Sequence, residues 1–221
     1  MASVSHLSRR SFLAGAAGIL VAGAAHSRDE REGHAVKFDV DQFVDDVKHA
    51  KAEVDGQTAV QEVLTRAVSD PNAVISGIGA PTEAGIHTIF HSKDLTILNV
   101  VWAPLMLLLP HNHSMWASIG IYTGREDNII WQRSGSTVEA SRAASLSERE
   151  VFPLPEDAIH SVTNPIERLT GAIHVYGGDF FGTPRSEWDA ETLIERPFDL
   201  EAARRTFKET NERFRASRSR E

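Results

Sequence analysis

The sequence contains no cysteine, which excludes disulfides, zinc-thiolate sites and a cysteine nucleophile together. It also lacks any excess of positive charge. Lys and Arg number 23 against 31 Asp and Glu, for a formal net charge of −8, whereas a nucleic-acid partner asks for a basic face. Beyond residue 25 there is no apolar run of the roughly 18 residues that a membrane-spanning helix needs. Internal repeats are absent, as is low complexity outside the first segment. What is present is a 221-residue chain, 41% hydrophobic and 24% charged. That composition supports one ordinary folded domain with appendages.

The first appendage reads as an address. Ser8-Arg9-Arg10-Ser11-Phe12-Leu13 precedes a small, mildly apolar stretch ending at Gly23-Ala24-Ala25. A basic head, an apolar middle and small residues at the end fit an export signal over residues 1–25. The paired arginines resemble the twin-arginine type, which implies a periplasmic or secreted protein exported already folded. Residues 26–37 are charged and aperiodic, and read as a flexible linker.

A domain is expected over residues 38–215. Phe43, Val47, Ala50 and Val54 fall at helical spacing, with Asp39 or Asp41 as cap and Gly56 as stop. A second helix is expected from Thr58 to Val68, ending before Asp70-Pro71, giving an α-helical hairpin able to cover one side of a sheet. From Ile86 the period shortens to that of strands. Short β-like runs (88–90, 95–102, 106–109, 116–122, 128–132, 158–163 and 169–176) alternate with turn signals such as Gly124, Ser134-Gly135-Ser136, Pro153/Pro155 and Asn164-Pro165. Arg125-Glu126-Asp127-Asn128 reads as a hairpin turn. Many short strands so spaced imply a mainly β antiparallel sandwich or jelly-roll barrel. A C-terminal helix is expected from Asp199 to about Phe214, with Phe198 as a hydrophobic staple, and residues 216–221 as a frayed tail.

The chemistry centres on Pro110-His111-Asn112-His113-Ser114-Met115-Trp116. In extended chain, residues two apart face the same way, so His111 and His113 project together. Two imidazoles in apolar surroundings are costly to bury unless something binds them, and a transition metal is the usual ligand. His160, on a later strand before Asn164-Pro165, supplies a third ring. Three neutral imidazoles on one side of a metal leave positions open for substrate and oxygen, a variant of the non-haem iron arrangement. His174 and Tyr176 also lie two apart on one strand. Taken alone, His111 and His113 could instead be solvated loop histidines, His174 a structural histidine, and Arg185 a surface partner of Glu187. His87 and His91 read as surface residues, and Trp102, Trp116, Trp131 and Trp188 as core or pocket wall.

The His-x-His strand, the later His before an Asn-Pro turn and the His-x-Tyr strand together resemble the cupin thiol dioxygenases. That family includes cysteine dioxygenase and 3-mercaptopropionate dioxygenase. The matching motifs span about Leu95 to Arg185, and the bacterial mercaptopropionate branch is the nearer likeness, through His111–Gly120 and His174-Val175-Tyr176-Gly177. The resemblance implies a cupin double-stranded β-helix with ferrous iron, Fe(2+), on His111, His113 and His160. It implies an outer pair, His174 and Tyr176, beside the metal. Arg185, nine residues beyond the tyrosine, would hold a substrate carboxylate. The activity implied is oxidation of a small carboxylated thiol to its sulfinate by O2. Other cupin chemistry (a non-thiol dioxygenase or an isomerase) and a non-catalytic metal-dependent sensor or binding module are the alternatives.

The chain departs from that family in four places. Ala172 stands where the family has a serine that orients the outer histidine. The absence of cysteine rules out the cysteine–tyrosine cross-link of animal cysteine dioxygenases. No arginine lies between Ile86 and Trp102, and Ala117 and Ser118 stand near the place of the glutamate ligand found in three-His-one-Glu cupins.

Overall fold

The computed structural model describes residues 38–219. The expected leader (1–25) and linker (26–37) lie outside the described residues. The domain begins with three helices, α1 (Val40–Lys51), α2 (Gly56–Val68) and α3 (Pro71–Ile78). Each starts on an aspartate whose carboxylate accepts a backbone N–H three residues on: Asp39 from Gln42, Asp55 from Thr58 and Asp70 from Ala73. Such caps satisfy donors that the first helical turn leaves free. The expected hairpin is therefore followed by a third helix. Asp70-Pro71, read as a terminator, is also an initiator: proline at the first helical position costs no hydrogen bond. Gly56 begins α2 rather than ending α1, and a Cβ there would lie 2.4 Å from the carbonyl oxygen of Lys51.

Eleven strands follow: β1 (Gly85–His91), β2 (Thr96–Trp102), β3 (Leu107–Asn112), β4 (Ala117–Thr123), β5 (Arg125–Ser134), β6 (Thr137–Ser147), β7 (Val151–Leu154), β8 (Ile159–Thr163), β9 (Thr170–Tyr176), β10 (Ser186–Trp188) and β11 (Glu195–Pro197). They form two antiparallel sheets, in the orders β1-β2-β9-β4-β7 and β11-β10-β3-β8-β5-β6. This is the expected jelly roll, a double-stranded β-helix. Helix α4 (Leu200–Arg218) closes the described chain, running one turn beyond the Phe214 end that the sequence suggests.

Four of these strands escape sequence reading. β6 is exposed along most of its length, so no apolar alternation marks it. β7 contains Pro153, a residue tolerated because β7 is a sheet edge, where a missing N–H breaks no ladder. β10 and β11 have three residues each.

The first sheet is covered on both faces. Ile97, Tyr122, Ile173 and Val175 pack with Val47, Val60, Leu64 and Val68 of the helices. Leu98, Val100, Ile119, Ile121 and Ala172 turn inward, toward the second sheet. Double coverage explains why β2, β4 and β9 read as nearly continuous apolar runs. Helix α4 is tied to the domain by Asn211, whose side chain accepts from the N–H of Ala84 and donates to its carbonyl, both at 2.7 Å.

Residues 125–128 are not a hairpin turn. They are the first four residues of β5, and the turn is made by Gly124 alone, at φ +84°. A Cβ on Gly124 would lie 2.3 Å from Oγ1 of Thr170 and 2.8 Å from its Cα. Thr170 Oγ1 in turn bonds both the N–H and the carbonyl of Arg125. Gly124→Ala is therefore expected to cost about 2–5 kcal/mol, combining a left-handed backbone with overpacking, as measured by urea unfolding.

Candidate metal centre

The site lies between the sheets. His111 on β3 and His160 on β8 are direct register partners. His113 lies just past the end of β3, in the connection to β4, where Ser114 takes φ +54°. The pairing expected within one strand is thus made by a strand end and the turn after it. Pro110 sits inside β3 at a register shift. All three rings are buried, and each offers one ligand nitrogen within 4.8 Å of the others.

The hydrogen bonds decide which nitrogens are free. His111 Nδ1 is 2.8 Å from the carbonyl oxygen of Leu109, so Nδ1 carries the proton and Nε2 is bare. His160 Nδ1 is 2.7 Å from Oδ1 of Asn128, and its Nε2 lies 3.3 Å from Nε2 of His113. His113 Nδ1 is buried without a partner among the described residues. Imidazole nitrogens converging in an apolar cavity suit a divalent transition metal, and neutral imidazole is its common ligand.

The rings stay neutral. Burial lowers His111 to about 4, and lowers His113 and His160 well below the ordinary value, with neighbouring imidazoles adding to the effect. Protons therefore compete weakly with a metal for these nitrogens.

His174 and Tyr176 reach the same cavity from β9 in the opposite sheet. His174 Nδ1 is 3.0 Å from the Tyr176 hydroxyl, and the Tyr176 ring meets His113 edge-on at 5.0 Å. Burial lowers His174 to about 3 and raises Tyr176, so the tyrosine presents an O–H and not a phenolate. His174 Nε2 is buried and has no hydrogen-bond partner among the described residues. The carboxylate of Glu126 lies 3.8 Å from it, beyond hydrogen-bonding distance.

No family model and no curated protein sequence matches the chain. Solved structures resemble it distantly. An RmlC-like cupin family protein with a double-stranded β-helix fold, from Methanocaldococcus jannaschii, matches at TM-score 0.39 and 12% identity, over 47% of this chain and 86% of that one. A conserved protein from Klebsiella pneumoniae with a double-stranded β-helix domain matches at 0.37 and 9%, over 54% and 90%. Oxalate oxidase in complex with the substrate analogue glycolate matches at 0.35 and 16%, over 45% and 53%. The strand order by itself defines the double-stranded β-helix.

Arg185 is not the surface partner of Glu187, which binds Arg196 at 2.8 Å. Its guanidinium carbon stands 3.9 Å from the centroid of the Phe180 ring and 4.4 Å from that of Phe198. Nη1 is buried with no partner among the described residues, and burial lowers the guanidinium pKa. Such a group invites an anion. Phe198 is therefore cavity wall as well as the residue before the Asp199 cap. With Leu200, Ala203 and Phe207 of α4 it roofs a cavity of about 30 Å³, room for about two waters. His87 and His91 are exposed, as expected.

Two residues that the sequence did not flag belong to this site. Glu126 and Asn128, taken for a turn, are buried side chains of β5. Their spacing of two, continued by Ile130, is the signal that could have placed them on one strand face.

Four buried imidazoles and one buried carboxyl pull stability in opposite directions with pH. The folded-state values of His111, His113, His160 and His174 lie below 6.5, so unfolding takes up protons and stability falls as pH drops below 6.5. Glu126 is raised by burial from 4.5 to about 7, so its contribution is full at low pH and is lost as pH rises toward 7. Four groups outweigh one. Metal-free protein is expected to gain stability from about pH 4.5 to 6.5; a flat or inverted profile in urea unfolding would show that the rings do not stay neutral in the fold.

Proposed function

We propose that the protein is a non-haem iron(II) dioxygenase that oxidises a small carboxylated thiol to its sulfinate with O2. The observation that carries this reading is the buried trio of imidazoles facing a cavity that also holds the guanidinium of Arg185, whose buried Nη1 has no partner among the described residues. Ferrous iron, held by His111, His113 and His160, would supply the redox chemistry that the spin-forbidden reaction of a thiol with dioxygen requires. The chain supplies the rest. Arg185 grips the carboxylate and so sets where the sulfur lies. Tyr176, protonated and anchored on His174, offers a hydroxyl to the reacting groups. Phe180, Phe198 and Phe207 exclude water. Apart from the histidines, Tyr176 and Arg185, the lining is apolar, so no carboxylate on the wall awaits a substrate ammonium. That favours an amine-free acid such as 3-mercaptopropionate over cysteine.

The test combines metal analysis of purified protein with oxygen uptake on 3-mercaptopropionate, cysteine and mercaptosuccinate. Uptake stoichiometric with sulfinate supports the reading. Bound metal with no uptake on any thiol would transfer the site to other metal chemistry or to a sensor. Export by the twin-arginine route belongs to the same proposal, and Arg9→Lys/Arg10→Lys is expected to hold the protein in the cytoplasm when cells are fractionated.

A further inference from the structure

Glu126 is fully buried, although carboxylates seldom are. Its Oε2 accepts from the indole Nε1 of Trp102 at 2.8 Å, and its Oε1 accepts from Nδ2 of Asn128 at 2.9 Å. Asn128 Oδ1 in turn faces His160 Nδ1 at 2.7 Å. The direction of every bond in this chain follows from the chemistry of its ends. An indole only donates, and the Glu126 carboxylate, ionised above about pH 7, only accepts. Asn128 must therefore present its amide hydrogens to Glu126 and its oxygen to His160. His160 must then carry its proton on Nδ1, which leaves Nε2 bare and pointing at the other rings.

We propose that Glu126 is a positioning residue: as the accepting end of a buried chain through Asn128, it fixes the tautomer in which His160 offers Nε2 to a metal. This rests on reading the three histidines as a metal centre. Partners of metal-bound histidines commonly set ring orientation and tautomer. Here the controlling group is one residue further out, and it also anchors the wall residue Trp102. β5 supplies both members of the chain from one face, because Glu126 and Asn128 are two apart and β5 pairs with β8 beside His160.

The near-isosteric variant Glu126→Gln tests it. Glutamine has a single acceptor oxygen, and Trp102 can only donate, so that oxygen must face the indole. Its NH2 then faces Asn128, which has to turn round and offer Nδ2 to His160, driving the ring proton to Nε2. Nitrogen NMR of histidine-labelled, metal-free protein at about pH 8, where a carboxyl raised to about 7 is largely ionised, is expected to show His160 protonated on Nδ1 in the parent and on Nε2 in the variant. Cobalt(II) affinity, measured by chelator competition, should fall by about 10- to 100-fold. Adding Trp102→Phe frees the glutamine to turn its oxygen toward Asn128, and is expected to restore the tautomer and most of the affinity. A purely structural role predicts a double variant worse than the single one.

An unchanged tautomer in Glu126→Gln would overturn the proposal. So would His160 protonated on Nε2 in the parent protein, a measurement that stands even if the variant does not fold. Failure of the parent to bind cobalt(II) would instead sink the metal-centre reading, leaving the tautomer result to judge the chain by itself.

Discussion

His113→Ala is expected to strip the protein of metal and to bring thiol-dependent oxygen uptake down to the rate without enzyme. His113 is one of only three convergent donors among the described residues, and no carboxylate stands ready to replace it. Glu126 is already engaged by Trp102 and Asn128. Removing an outer partner of a metal ligand costs about 10- to 100-fold in metal affinity, so removing a ligand should cost more than 100-fold. The fold should survive. His113 Nδ1 has no hydrogen-bond partner among the described residues, and a buried polar group without one costs about 1–3 kcal/mol. Its removal offsets much of the packing lost with the ring. Metal content, oxygen uptake and urea unfolding of the metal-free variant check the three parts of this expectation. Stoichiometric iron in a folded His113→Ala protein would remove the basis of the proposed activity.

Arg185→Ala is expected to raise KM for 3-mercaptopropionate by about 10- to 100-fold, with a smaller change in kcat and none in metal content. A charge-assisted, bidentate bond to a carboxylate is worth about 1.5–3 kcal/mol, which sets that range. Cysteamine, a thiol without a carboxylate, provides the control: its turnover, however slow, should be indifferent to the substitution. Arg185→Lys should recover only part of the loss. The planar guanidinium fits between the Phe180 and Phe198 rings, and an ammonium on a flexible stem matches neither the stacking nor the two-pronged grip. An unchanged KM would place the substrate carboxylate elsewhere and leave Arg185 as a structural cation between two rings.

Much of this molecule was legible in the sequence because its signals are local. Strand alternation marked β2, β4, β5, β8 and β9, and double burial by helices and the second sheet made three of those runs conspicuously apolar. Aspartate caps marked the starts of helices, although Asp70-Pro71 was read only as an end. His111 and His113 are two apart in the chain, a spacing that puts side chains on one side of an extended segment, and the motif around them pointed to His160 and to the pair at 174 and 176.

The partners of those histidines were not legible. Arg125-Glu126-Asp127-Asn128 is four polar residues in a row beside a glycine, and local chemistry favours a turn. Only the pairing of β5 with β8, about 30 residues later in the chain, makes an interior of one face and draws Glu126 and Asn128 into it. The seat of Arg185 likewise depends on Phe180 before it and Phe198 after it folding over the same cavity. Sequence alone determined which side chains can carry the chemistry, because residue type and spacing are properties of the chain. Tertiary structure decided which nitrogens are bare and which charges lack a partner, because burial and long-range strand pairing are properties of the assembled sheets.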